Sequence, residues 1–301
     1  MRSIRGMTPS SLRLGGLQVY RAGIGPPALL VHSINAAAGA HEMRPLIERL
    51  SATHTVYVPD LPGFGNSERR DIVYSPRLYT DALHAVIEAI QGQCGPAPLP
   101  ALALSLGCEF LARAAVERPW AFSRLALVSP TGLMGLKARP GPAGATRAVP
   151  GLHAALTAPG WGPALVRQLT RPSVVRYFLR RTWGSDSIDE TMWAEAVAAA
   201  RAPGAHHAPL YFLSGGLFSA DVLSLYEALK MPVWASHGTR GDFTDYRSRV
   251  HLENRPNWRW TVYEGGALPY FEHPVRFGVA LAEFLAGRPV PDDSTAGRPT
   301  A

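Results

Sequence analysis

The 301-residue chain is 47% hydrophobic and 18% charged, a balance that excludes a disordered chain and supplies enough apolar surface for one large core. Its two cysteines, Cys94 and Cys108, exclude a disulfide framework and lack metal-site spacing, and no apolar run approaches the ~20 residues that cross a bilayer. The formal charge of +7 comes with no nucleic-acid motif and residues 1–16 lack the apolar segment of a secretory signal, so nucleic acid is not an expected partner and a cytoplasmic location is expected.

Residues 11–21 read as a short hairpin, because branched and aromatic residues flank the Gly15-Gly16 pair, so the sheet is expected to start antiparallel. Beyond it, short apolar runs at 28–32, 55–58, 101–104, 125–129, 233–236 and 258–263 have the composition of strands buried on both faces. Apolar residues at helical spacing mark 42–50, 75–91, 106–117 and 274–286. In the last of these Pro274 suits a first helical turn, and Phe277, Leu281, Phe284 and Leu285 share a face. The alternation predicts an α/β fold with a mostly parallel sheet flanked by helices.

Residues 131–230 interrupt that alternation. They are rich in proline, glycine, alanine and arginine and read as a helical insertion, with 210–213 as its single candidate strand. Arg167, Arg171, Arg176, Arg180 and Arg181 are interleaved here with apolar residues, which fits either a solvated helix face or contact with a membrane surface or anionic partner. Core segments are therefore expected at 11–130 and 231–287, with a disordered tail at 288–301.

The chemistry centres on Ala103-Leu104-Ser105-Leu106-Gly107, which follows an apolar strand and opens a helix. A serine there sits on a sharp turn, and small residues two before and two after it let the strand and helix backbones pass closely. The same turn aims the Leu106 N–H at the space where an oxyanion would form.

With that motif the chain resembles the α/β-hydrolase fold superfamily over about residues 11–287. His32-Ser33-Ile34-Asn35 is similar to the family's oxyanion loop, with serine where glycine is usual. The segment from Asp60 through Gly63 and Gly65 to Ser67 is similar to a structural loop of the family. The resemblance implies an eight-stranded, mostly parallel sheet with a helical cap, Ser105 as nucleophile, and oxyanion donors at Leu106 and at Ile34 or Ser33. Asp242 is the implied acid, with Asp245 as the alternative, and no metal or organic cofactor is implied.

At the last member of the triad the pattern departs. Where the family carries its histidine, the chain reads Gly265-Gly266-Ala267-Leu268-Pro269, in a register set by Pro269, Glu272 and Pro274. His237, His273 and His32 are the other imidazoles near the implied site. Alanine accepts no proton, so the resemblance implies a serine esterase-like hydrolase of strongly impaired activity, either because a histidine was replaced by design or because the protein naturally uses the pocket for binding or for lyase or carbon–carbon chemistry. The insertion's aromatics, among them Trp161, Tyr177, Phe178, Trp183, Tyr211 and Phe218, fit a lipophilic small-molecule substrate or simple packing.

Overall fold

The computed structural model describes residues 10–136, 141–159 and 161–290. Eight strands form one sheet in the order β1-β2-β4-β3-β5-β6-β7-β8: β1 (Ser10–Leu14), β2 (Leu17–Ala22), β3 (Pro27–Val31), β4 (Thr55–Asp60), β5 (Leu99–Leu104), β6 (Phe122–Val128), β7 (Val233–Gly238) and β8 (Trp258–Tyr263). β1 and β2 pair antiparallel, as does β2 with β4, and all remaining neighbours are parallel. The two-sided burial expected of the central runs is complete in β4 and β7, where every residue is buried.

Each face of the sheet is covered. On one side α2 (Pro76–Cys94) and α3 (Gly107–Glu117) pack Tyr79, Leu83, Phe110 and Leu111 onto β3 and β5. On the other, α1 (Arg44–Leu50) and α12 (Pro274–Leu285) bury Leu46, Ile47, Phe277 and Leu281. Ser75 caps α2 by accepting the Leu78 N–H, and Pro76 occupies its first turn, so the helix starts where its capping residues place it.

Between β6 and β7 lie α4 (Leu152–Thr157), α5 (Gly162–Leu169), α6 (Pro172–Trp183), α7 (Glu190–Ala200), α8 (His207–Leu213) and α9 (Val222–Ala228). Residues 210–213, expected as a strand, are the last turn of α8. A four-residue apolar run has no period of its own, and here His207 to Pro209 continue it backwards as a helix whose buried face is Ala208, Pro209 and Leu210. α9 packs on α3, burying Val222, Leu225 and Tyr226 in the same core as the sheet. Short helices α10 (Val250–Glu253) and α11 (Pro269–Glu272) flank β8. From residue 291 onward the expected tail lies outside the described residues, as do residues 1–9.

Candidate active site

β5 delivers the chain to Ser105 at the carboxyl end of the sheet, and α3 leaves from Gly107. Ser105 has φ +53°, a left-handed conformation that costs a non-glycine residue about 1–2 kcal/mol and persists only where the surroundings impose it. Two contacts impose it: the Ser105 N–H donates to the Val128 carbonyl (2.8 Å), and its own carbonyl accepts the Cys108 N–H (3.0 Å). Ser105 stays partly exposed between the buried Leu104 and Leu106. Gly107 is required by close approach, since a Cβ there would stand 2.5 Å from the His32 carbonyl oxygen. Gly107→Ala is therefore expected to destabilise the fold by about 2 kcal/mol, read as a Tm several degrees lower, because a backbone carbonyl cannot swing aside.

That contact brings the loop after β3 against the elbow. The Ser33 N–H is committed to Glu42 Oε2 (2.8 Å), so of the two candidates in this loop Ile34 is the one left to donate elsewhere. Among the described residues neither the Ile34 nor the Leu106 N–H meets an acceptor. Two unpartnered N–H groups, one from the turn at Ser105 and one from the loop packed against it, are the equipment an oxyanion needs.

The loops after β7 and β8 close the other side. Ala267 is 6% exposed; its carbonyl accepts the Ser129 hydroxyl (2.7 Å) at the end of β6, and its N–H donates to the Thr182 carbonyl in the cap (3.0 Å). Glu272 holds the preceding turn by accepting the Gly266 N–H (2.6 Å), which gives physical content to the glutamate used to set the register. Asp242 also faces the cap. Its carboxylate takes two hydrogen bonds from the Arg181 guanidinium (2.5 and 2.7 Å), and its N–H donates to the Arg181 carbonyl (3.1 Å). Asp245 is spent on the Arg247 guanidinium, which holds its pKa below the usual carboxylate range, and on the Gly135 N–H (3.1 Å), which adds to that effect.

No substitute base comes from the three histidines singled out by sequence. The Leu61 N–H donates to His32 Nε2 (2.9 Å) while Nδ1 lies 2.6 Å from the Ser33 carbonyl, so both ring nitrogens serve the backbone. Arg249 donates to His237 Nε2 (2.9 Å), and Nδ1 donates to the Gly238 carbonyl; burial, with Arg249 nearby, lowers this pKa and keeps the ring neutral. His273 opens α12, stacked on Tyr263 and 3.3 Å from the Glu264 carbonyl.

Asp60 is structural, as its loop suggested: it accepts the Ala40 N–H (2.8 Å) and the Asn66 N–H (2.7 Å), and a Cβ on Gly65 would overlap its carboxyl group. Two groups escaped sequence reasoning, Glu42 and Tyr270. The Tyr270 hydroxyl is fully buried with no partner among the described residues, and burial pushes its pKa up, followed by the nearby Glu42 and Cys108. No spacing or motif marks either residue.

On α6, three of the clustered arginines are paired: Arg176 with Glu190, Arg180 with Asp186 and Arg181 with Asp242. Trp183 is buried edge-on to Phe271, whereas Tyr177 and Phe178 stay half-exposed. A cavity of about 260 Å³ is bordered by Leu156, Val166, Leu210 and Tyr211, with His153 and His206 on its polar side. Among the described residues no cluster of His, Cys, Asp or Glu is arranged to hold a metal ion, and no helix is long and apolar enough to cross a membrane.

The sequence profile of the alpha/beta hydrolase family matches residues 28–280, from β3 into α12, and so spans every strand except β1 and β2. The chain belongs to that family. Among solved structures, this hydrolase-family chain is similar to a serine hydrolase involved in carbazole degradation (19% identity, TM-score 0.72, covering 93% of this chain and 99% of that one). It is similar also to an epoxide hydrolase (22%, 0.71, 93% and 98%) and to the 2-hydroxy-6-oxo-6-phenylhexa-2,4-dienoate hydrolase of Rhodococcus sp. strain RHA1 (19%, 0.71, 93% and 98%). At these identities the likeness establishes the fold. No curated protein sequence matches the chain.

Proposed function

We propose that this family member is built as a serine hydrolase for an ester or related acyl bond of a lipophilic small molecule, and that it stands without its general base because position 267 is alanine. The observation that carries the reading is Ser105 itself, a partly exposed residue held at φ +53° in a chain whose Leu106 and Ile34 N–H groups meet no acceptor among the described residues. In that geometry the Ser105 oxygen attacks the acyl carbon, and the developing oxyanion is met by the two N–H groups. The serine proton then has no imidazole to receive it, so acyl transfer is slow. The half-exposed Tyr177 and Phe178 of α6, the helix whose Arg181 meets Asp242, support a lipophilic portion of the substrate.

The test is Ala267→His, assayed beside the unaltered chain with a panel of chromogenic esters and a serine-directed phosphonate. Turnover that appears with the histidine and disappears with Ser105→Ala supports the hydrolase reading. A histidine form that neither labels nor turns over any ester sinks it.

One observation favours a second reading, in which the base is naturally absent and the pocket binds a ligand without hydrolysing it. A histidine removed by a single designed change leaves its acid facing the vacated space. Here the Asp242 carboxylate is instead fully engaged by Arg181 from the cap. Tight binding of an acyl ligand by the unaltered chain, with no gain of turnover in Ala267→His, decides for this reading.

A further inference from the structure

We infer that Glu42 is a positioning residue that sets the oxyanion-binding loop, an inference that rests on the reading of Ser105 as the nucleophile. The loop 32–35 carries serine and asparagine, whose polar side chains give it handles by which another residue can hold its shape. Glu42 does so from the turn Ala40–Met43, seven residues beyond Asn35.

Its carboxylate is 2% exposed and takes three hydrogen bonds from this one loop. The Ser33 N–H donates to Oε2 (2.8 Å), the Ser33 hydroxyl donates to Oε1 (2.8 Å), and Asn35 Nδ2 donates to Oε1 (3.0 Å). Asn35 closes the network, donating also to Ser33 Oγ (2.9 Å) and accepting the Ala37 N–H (2.7 Å) on its own carbonyl. Three donors thus converge on its two oxygens; burial raises its pKa above the ordinary value, and the bonds from Ser33 and Asn35 oppose that rise.

The consequence for Ile34 follows from peptide geometry. Peptide planes are rigid, so fixing the Ser33 N–H and side chain on one side and the Asn35 side chain on the other leaves the intervening Ile34 N–H little freedom of direction. That N–H meets no acceptor among the described residues, whereas the Ser33 N–H beside it is taken by Glu42. The clamp thus spends the Ser33 donor, which in another arrangement would compete for the oxyanion, and presents the Ile34 donor. A buried carboxylate is an expensive way to fill space, since burial disfavours its charge and an apolar residue of similar volume avoids that penalty. Preorganisation of a donor that acts only in the transition state is a return that packing alone does not give.

The experiment compares Glu42→Gln and Glu42→Ala in a background carrying Ala267→His and Arg181→Ala. Glutamine keeps the volume and one acceptor oxygen but turns an N–H toward the Ser33 N–H. The expected result is a kcat on a chromogenic ester about tenfold lower for glutamine and about a hundredfold lower for alanine, with KM within about twofold, because one oxyanion donor commonly carries 10²–10³ in kcat. Phosphonylation of Ser105 falls in parallel. A general structural role would instead move KM, Tm and expression together. Glutamine kinetics equal to the background overturn the inference while leaving the nucleophile reading intact. A background that neither labels nor turns over sinks the nucleophile reading instead, and the clamp is then judged in the otherwise unaltered chain by amide exchange: Glu42→Gln is expected to strip protection from the Ser33 N–H while Leu29–Val31 keep theirs, and an unchanged Ser33 overturns it.

Discussion

Ala267→His combined with Arg181→Ala is expected to raise ester hydrolysis by about two to three orders of magnitude over the unaltered chain, and Ala267→His alone by about one. Loss of a triad member typically reduces turnover by about 10⁴ to 10⁶, leaving what the oxyanion hole and binding supply, so the available recovery is large. The reason for the second substitution is the Arg181 pair. An imidazole at position 267 needs an acid to fix its tautomer and stabilise its cationic form, and Asp242 already has both oxygens on the guanidinium. Both partners are substantially solvent-exposed, so releasing the acid removes a pair of small worth to folding. The released cap segment keeps its backbone bonds, Asp242 N–H to Arg181 and Ala267 N–H to Thr182. Steady-state assays with a p-nitrophenyl ester check the order of the three proteins. Adding Asp242→Asn to the double variant is expected to return the rate nearly to the baseline. A double variant no faster than Ser105→Ala refutes the acid and base assignments together.

Much of the scaffold was legible in the sequence because its strands are buried on both faces. An apolar run bounded by turn residues leaves little else for 28–32 or 125–129 to be, and 258–263 matches β8 at both ends. Ser105 was legible because the strand, the turn and the helix around it are contiguous, although the Val128 carbonyl that holds its N–H and the His32 carbonyl that requires Gly107 arrive from elsewhere in the chain. What was hidden is what comes together only in space. Arg181 and Asp242 are 61 residues apart, and nothing on α6 distinguishes Arg181 from Arg180 until the loop after β7 meets it. Glu42 looked like one more polar residue at a helix start, and its role depends on which way the 32–35 loop turns. Residues 210–213 were misread because a short apolar run reports burial without reporting period.

Glu109→Gln is expected to flatten the pH dependence of folding stability between about pH 4.5 and pH 7, a change worth about 3 kcal/mol across that window. Glu109 stands on α3 one turn past Ser105, 1% exposed, and accepts the Thr131 hydroxyl (2.5 Å) and the Ser219 N–H (2.7 Å). Burial raises its pKa from the ordinary 4.5 to about 7, and the hydrogen bonds from Thr131 and Ser219, with the charge of Arg147, offset only part of that rise. Below about 4.5 the carboxyl is protonated in both states and contributes nothing to the slope. Between the two values the unfolded chain has lost the proton that the folded chain retains, so the native state binds more protons and stability falls as pH rises; above about 7 both states are ionised and the loss is complete. Glutamine cannot titrate. In urea or thermal unfolding from pH 4.5 to 8, the variant is therefore expected to gain on the unaltered protein steadily up to about pH 7 and then run parallel to it. A difference that stays constant through that range shows that Glu109 titrates like an exposed glutamate. The placement gives this titration a reach beyond α3, because Thr131 and Ser219 lie near the two ends of the inserted helices, and ionised Glu109 accepts from both. Above pH 7 the carboxylate thus ties Thr131 and Ser219 to α3 at a cost in global stability, and the Ser219 amide is expected to exchange more slowly there than at pH 5 once the intrinsic pH dependence of exchange is removed.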